Sequence, residues 1–145
     1  MTMSTDTDIQ EYFPDLYEFG IQDFSTDHAR TREDIIRQLR IDWWPRMQSR
    51  TNIFSASTEL NVALLTETQF TRAAVFHVLS YYILPKLAKF DPEGDKFENM
   101  MKYYKERYSE EFNLILKDGV EYDTDDSGNI SNDEKIQNVY DRLVR

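Results

Sequence analysis

Between Thr68 and Lys117 the apolar residues recur at three- and four-residue steps in two separate runs, the spacing of a helix face. In the first run Phe70, Ala73, Ala74, His77, Val78, Tyr81 and Leu84 share one face. In the second, Phe97, Met101, Tyr104, Tyr108, Phe112 and Ile115 do the same. Between them lies Phe90-Asp91-Pro92-Glu93-Gly94, where proline and glycine both oppose helix continuation. The pattern predicts a long αα-hairpin, Thr68–Lys89 and Asp95–Lys117, whose stripes bury each other. Pro85 falls inside the first arm and predicts a kink, with a stop at Leu84 as the alternative.

Before the hairpin, Ser25-Thr26-Asp27 offers N-caps for a helix from Asp27 to Trp44. Its apolar positions are Ala29, Ile35, Ile36, Leu39 and Trp43, and Arg30, Arg32, Arg37 and Arg40 take the other face. Pro45 ends or kinks it. Adjacent Trp43 and Trp44 leave a helix in different directions, so one is expected in the core and the other exposed or interfacial. Residues 1–8 are polar and expected to fray. Ile9 to Gly20 reads as two helical turns around Pro14. Its Tyr12, Phe13, Leu16, Tyr17 and Phe19 either plug the core or face a partner subunit. Arg46 to Ser57 reads as a loop, followed by a short helix Thr58–Leu65, with Thr66 or Thr68 as the next N-cap.

Composition agrees with a mainly α chain of 145 residues. Only four Gly and four Pro leave little room for a many-turned β fold. A net charge of −10 disfavours coating nucleic acid or an anionic membrane. No apolar run is long enough to span a bilayer, and no signal peptide is apparent. Without cysteine there is neither a disulfide nor a thiolate metal site. No phosphate loop, nucleophile elbow or His-Glu-x-x-His appears, so nothing in the sequence supports an enzyme. His77 reads as a hydrogen-bonded core histidine.

The sharpest chemical signal follows the hairpin. Asp118-Gly119 stops the helix, Val120-Glu121-Tyr122 reads as extended, and Asp123 to Glu134 matches the twelve-residue EF-hand calcium loop. Asp123, Asp125 and Ser127 stand at positions 1, 3 and 5, and Gly128 at position 6, where the turn needs positive φ. Asn129 at position 7 offers its carbonyl, Ser131 at position 9 holds a ligand through water, and Glu134 at position 12 binds in bidentate fashion. Asp118 to Glu134 carries seven acidic residues and no basic one, so a Ca2+ ion would relieve repulsion. Against this stand the missing paired loop, the missing entering helix, and the frequency of such runs as solvated turns. An exit helix, Asp133–Arg145, is expected to dock through Ile136, Val139, Tyr140 and Leu143. The full expectation is a small helical bundle domain, 1–117, built on the hairpin. A C-terminal strand–loop–helix EF-hand-like extension, 118–145, completes it.

Three stretches carry a family resemblance: Asp8-Ile-Gln-Glu-Tyr-Phe-Pro-Asp-Leu16, Ala29-Arg-Thr-Arg-Glu-Asp-Ile-Ile-Arg-Gln-Leu39, and Phe70-Thr-Arg-Ala-Ala-Val-Phe-His-Val-Leu-Ser-Tyr-Tyr82. In order and pattern the chain resembles the mostly α-helical head–tail connector (adaptor, head-completion) proteins of tailed bacteriophages over roughly residues 8–116. The C-terminal loop and exit helix depart from that pattern. The resemblance implies a structural virion protein made in the bacterial host cytoplasm. It implies a homo-oligomeric ring, commonly a dodecamer, between the portal protein and the next neck or tail component. DNA would pass through the channel without specific binding, and no membrane is involved. The competing class is a calcium-binding EF-hand-like protein-interaction module unrelated to virions.

Overall fold

Helices dominate the chain because its apolar residues are grouped at helical spacing and its breakers are few. The computed structural model describes residues 2–14, 16, 23–45, 59–87, 96–123, 126–130 and 135–136. In order these form α1 (Asp6–Tyr12), α2 (Ser25–Asp42), two short 3-10 turns (Val62–Leu64 and Glu67–Phe70) and α3 (Thr71–Val78). A π turn (Leu79–Ile83), α4 (Leu84–Leu87), α5 (Lys96–Asp118) and two short strands, β1 (Val120–Glu121) and β2 (Lys135–Ile136), complete the order. Among the described residues no helix is long and apolar enough to cross a membrane.

The chain divides into two compact units, each discontinuous in sequence. The first comprises Met1–Glu33 and Phe70–Phe112, the second Asp34–Gln69 and Asn113–Arg145. The expected division at residue 117, by contrast, is continuous in sequence.

In the first unit residues 2–8, which were expected to fray, are instead built into the fold. Thr5 caps α1 in a reciprocal box with Asp8, satisfying orphan N–H groups at both positions. Met3 and Ser4 are buried. α3 is buried on nearly every side, from Ala73 through Val78, where a single stripe was expected. Tyr81, assigned to that stripe, is instead exposed. α5 does present a stripe: Tyr104, Tyr108 and Phe112 are buried at four-residue steps. Aromatic rings pair across the unit as Phe70–Phe112, Phe76–Tyr104 and His77–Tyr108, with centroids 6.5, 5.9 and 4.8 Å apart. The kink expected at Pro85 is a widened turn. Leu84 N–H reaches back five residues to Leu79 C=O, which makes room where the proline ring would crowd the Tyr81 carbonyl. The helix then continues to Leu87; the Phe90–Gly94 turn lies outside the described residues.

The second unit corrects further expectations. α2 starts at Ser25 and ends at Asp42. Trp43 forms a turn, and helical backbone resumes at Trp44 and Pro45, the last residues described before residue 59. Both tryptophans are buried, at 1% and 5% exposure. The short helix expected at Thr58–Leu65 is only a 3-10 turn, and Leu65 is extended in a bridge to Tyr122. The next α-helix begins at Thr71 with Phe70 at its N-cap and no side-chain cap, while Thr66 stands just before the 3-10 turn that leads into it, its carbonyl accepting from Gln69 N–H. The expected loop Arg46–Ser57 lies outside the described residues. Lys135 and Ile136 belong to a strand, not to an exit helix beginning at Asp133, because they pair antiparallel with Glu121 and Val120. Residues 137–145, the rest of that expected helix, lie outside the described residues.

Candidate cation-binding loop

The acidic loop hangs from a backbone ladder. α5 ends at Asp118, and Gly119 takes φ 118°, a conformation few side chains tolerate. Gln69 then acts as a substitute peptide group. Its amide Nε2 donates to Gly119 C=O at 2.7 Å, and its Oε1 accepts from Glu121 N–H at 3.1 Å. Thr66 N–H donates to Glu121 C=O, and Asp123 N–H donates to Leu64 C=O at 2.9 Å. Val120 and Glu121 pair with β2, so the loop is closed at both ends by strand pairing.

Beneath the loop entrance Tyr122 is buried against Trp44 and Trp43, with centroids 5.3 and 6.0 Å away. The Asn61 backbone N–H donates to its hydroxyl oxygen at 3.1 Å. Burial pushes the Tyr122 hydroxyl above the usual tyrosine pKa, and that hydrogen bond only partly opposes the shift.

Asp123, loop position 1, is 8% exposed. Its carboxylate accepts from Ser127 N–H at 3.1 Å and from Gly128 N–H at 2.8 Å. Gly128, position 6, has φ 85°, as the motif requires. Ser127 Oγ lies 3.4 Å from Asp123 Oδ1 and 3.0 Å from the Asn129 carbonyl oxygen, to which it donates. Oxygens bound to one Ca2+ at 2.3–2.6 Å stand about 3 Å from one another. Ser127 Oγ therefore already stands near such a separation from one oxygen of position 1 and from the carbonyl of position 7. The Ser127 hydroxyl proton would have to turn away from Asn129 to admit it.

Asp125, Ser131 and Glu134 lie outside the described residues. Among the described residues, no three carboxylate or imidazole side chains gather into a ready-made cage. The residues that are described fit a hard cation by donor type, turn geometry and oxygen spacing.

A second polar constellation escaped the sequence reading. His28 in α2 is buried at 3%. Its Nε2 donates to Asp6 Oδ1 at 2.9 Å, since a carboxylate only accepts. Its Nδ1 meets the buried Ser4 hydroxyl at 2.7 Å. A cavity of about 190 Å³ beside them is lined by Thr2, Ser4, Thr5, Asp6, Ser25 and His28. The arrangement pins the N-terminal segment onto α2. The one signal for it was a histidine in the first turn of an otherwise amphipathic helix. His77 is also buried, with Nδ1 3.1 Å from Thr31 Oγ and its ring stacked 4.4 Å from Tyr81.

No family model matches the chain, and comparison with curated proteins and with solved structures found no match either.

Proposed function

We propose that this chain acts by contact, as a ring-forming connector at the head–tail junction of a tailed phage. It would join the portal protein to the next neck or tail component, with DNA passing through the ring without specific binding. The observation carrying this reading is that the described residues of the three stretches are mostly helical, in α1, in α2, and in α3 with the π turn that follows it. Phe70 pairs with Phe112, while Phe76 and His77, later in the chain, pair with the earlier Tyr104 and Tyr108. These pairings support α3–α4 and α5 as the arms of an αα-hairpin joined through residues 88–95. Exposed Tyr12, Tyr81 and Tyr103 add the aromatic surface that protein interfaces favour. Mass spectrometry of purified virions, with localisation of the chain by electron microscopy, is the test. Finding it only in infected-cell lysate, never in mature particles, rejects the connector.

The second reading is a calcium-binding interaction module, favoured by Ser127 Oγ lying 3.4 Å from an Asp123 carboxylate oxygen and 3.0 Å from the Asn129 carbonyl oxygen. On this reading Asp123, Asp125, Ser127, Asn129, Ser131 and Glu134 hold Ca2+. The strand-closed loop makes the ion a staple and not a sensor, because a sensor needs a bistable helix pair. Calcium at 100-fold excess over its dissociation constant would add roughly 2.7 kcal/mol of stability, reversed by chelator. Glu134→Gln should remove that gain. Calorimetry without binding at millimolar calcium reduces the loop to an acidic turn.

A further inference from the structure

Charge is segregated along this chain. Six of the ten arginines fall between Arg30 and Arg50, where the only acids are Glu33, Asp34 and Asp42, although the whole protein carries −10. Asp118 to Glu134 is the converse, with seven acids and no base. On α2 the exposed Arg37, Arg40 and Ile41 stand at steps of three and four residues, on neighbouring positions of one face. Ile41 is 66% exposed, an apolar position next to two arginines on that face. Arg30 lies seven residues before Arg37 on the same helix and is also exposed. Among the described residues none of these three arginines makes an ion pair.

We infer that the Arg37–Arg40–Ile41 face of α2 docks the acidic loop of a second copy of this chain. Guanidinium groups bind carboxylates through paired, directional hydrogen bonds, so arginine suits this contact better than lysine. Ile41 supplies the apolar anchor. A basic face on one copy meeting an acidic loop on the next is a head-to-tail contact, which closes into a ring or runs on as a filament. This rests on the ring-forming reading above and assigns its surfaces. Duplex DNA is the rival occupant for an arginine face, but the acidic remainder of the chain opposes a polyanion and favours the chain's own loop.

The test is sedimentation of the full chain in low salt with chelator, so that cation occupancy does not alter the loop's charge. The wild-type chain should self-associate, and more weakly as salt rises. Arg37→Glu/Arg40→Glu changes only exposed positions and should weaken association by roughly tenfold or more. Asp118→Lys/Asp126→Asn should do the same. Lysine suits the C-terminal turn of α5, and asparagine tolerates the positive φ of 53° at position 126. Mixed together, the two variants retain one intact acidic loop and one intact arginine face. They should form a 1:1 dimer and go no further. A monomeric wild type, variants that associate like wild type, or a mixture that fails to pair overturns the inference. So does an arginine-face variant that loses duplex DNA binding while still self-associating. None of those results touches the virion-composition test, on which the connector reading stands or falls separately.

Discussion

Phe112 links two other rings of the first unit's aromatic core. It is 2% exposed, with Phe70 and Tyr108 as ring neighbours at 6.5 and 5.9 Å. Phe112→Ala should therefore cost about 3–5 kcal/mol in denaturant unfolding. A change near zero would mean that the ring is not packed as described. Two tyrosines make alkaline pH a probe of burial. Burial raises the pKa of both Tyr104 and Tyr122 above the model-peptide value of 10.0. The unfolded chain then loses these protons first, so the stability they lend is complete below pH 10 and is lost as pH rises through the folded values. Tyr122→Phe should flatten the fall in stability as pH rises above 10, followed by urea midpoint. Asp123 changes how its own substitution must be read. Because its carboxylate already accepts from Ser127 and Gly128 N–H groups, Asp123→Ala should weaken the metal-free loop as well. Glu134→Gln is thus the cleaner probe of a cation.

At the level of elements, the buried face of α5 was legible because the helix is amphipathic and its aromatic stripe has one period. α3 was only half legible. A helix buried on nearly all sides shows an apolar run without a preferred face, so the stripe placed Tyr81 inside. The N-terminal segment misled for the opposite reason. Ser4, Asp6 and His28 are polar in composition yet buried or half-buried through mutual hydrogen bonds, which periodicity does not register. β2 was illegible because two residues become a strand only through a partner fourteen or more positions away. The loop's first half could be read from donor order alone, since Asp123 and Gly128 act within six residues. The π turn left one local signal, Pro85. Within it Ser80, fully buried, donates through its hydroxyl to His77 C=O at 3.2 Å, a carbonyl just before the turn. Ser80→Ala should cost about 1 kcal/mol. Ser80→Val, which adds bulk at a site with no exposure, should cost more. Equal, negligible losses in both variants would remove the hydroxyl from the account of this turn.

For the whole molecule, the decisive fact is that each unit is assembled from two distant stretches of sequence. A chain ending at Lys117 would lose Val120 and Tyr122, both buried in the second unit. Trp43 and Trp44 would then lose the ring that packs against them, so their emission should shift to the red. The first unit, complete by Phe112, should retain helical signal in the same truncated chain. An unshifted tryptophan spectrum would show that Tyr122 does not shield the pair. The same interleaving has a consequence during translation. α1 and the first half of α2 leave the ribosome long before Phe112, the last residue of the unit to which they belong. At ordinary synthesis rates the wait from Glu33 to Phe112 is roughly 4–16 s. Through that interval Ile9, Leu16 and Phe24 have no finished core to enter. Those apolar side chains therefore stay without their native partners until Phe112 arrives, and the second unit waits longer still, until Ile136 has been added.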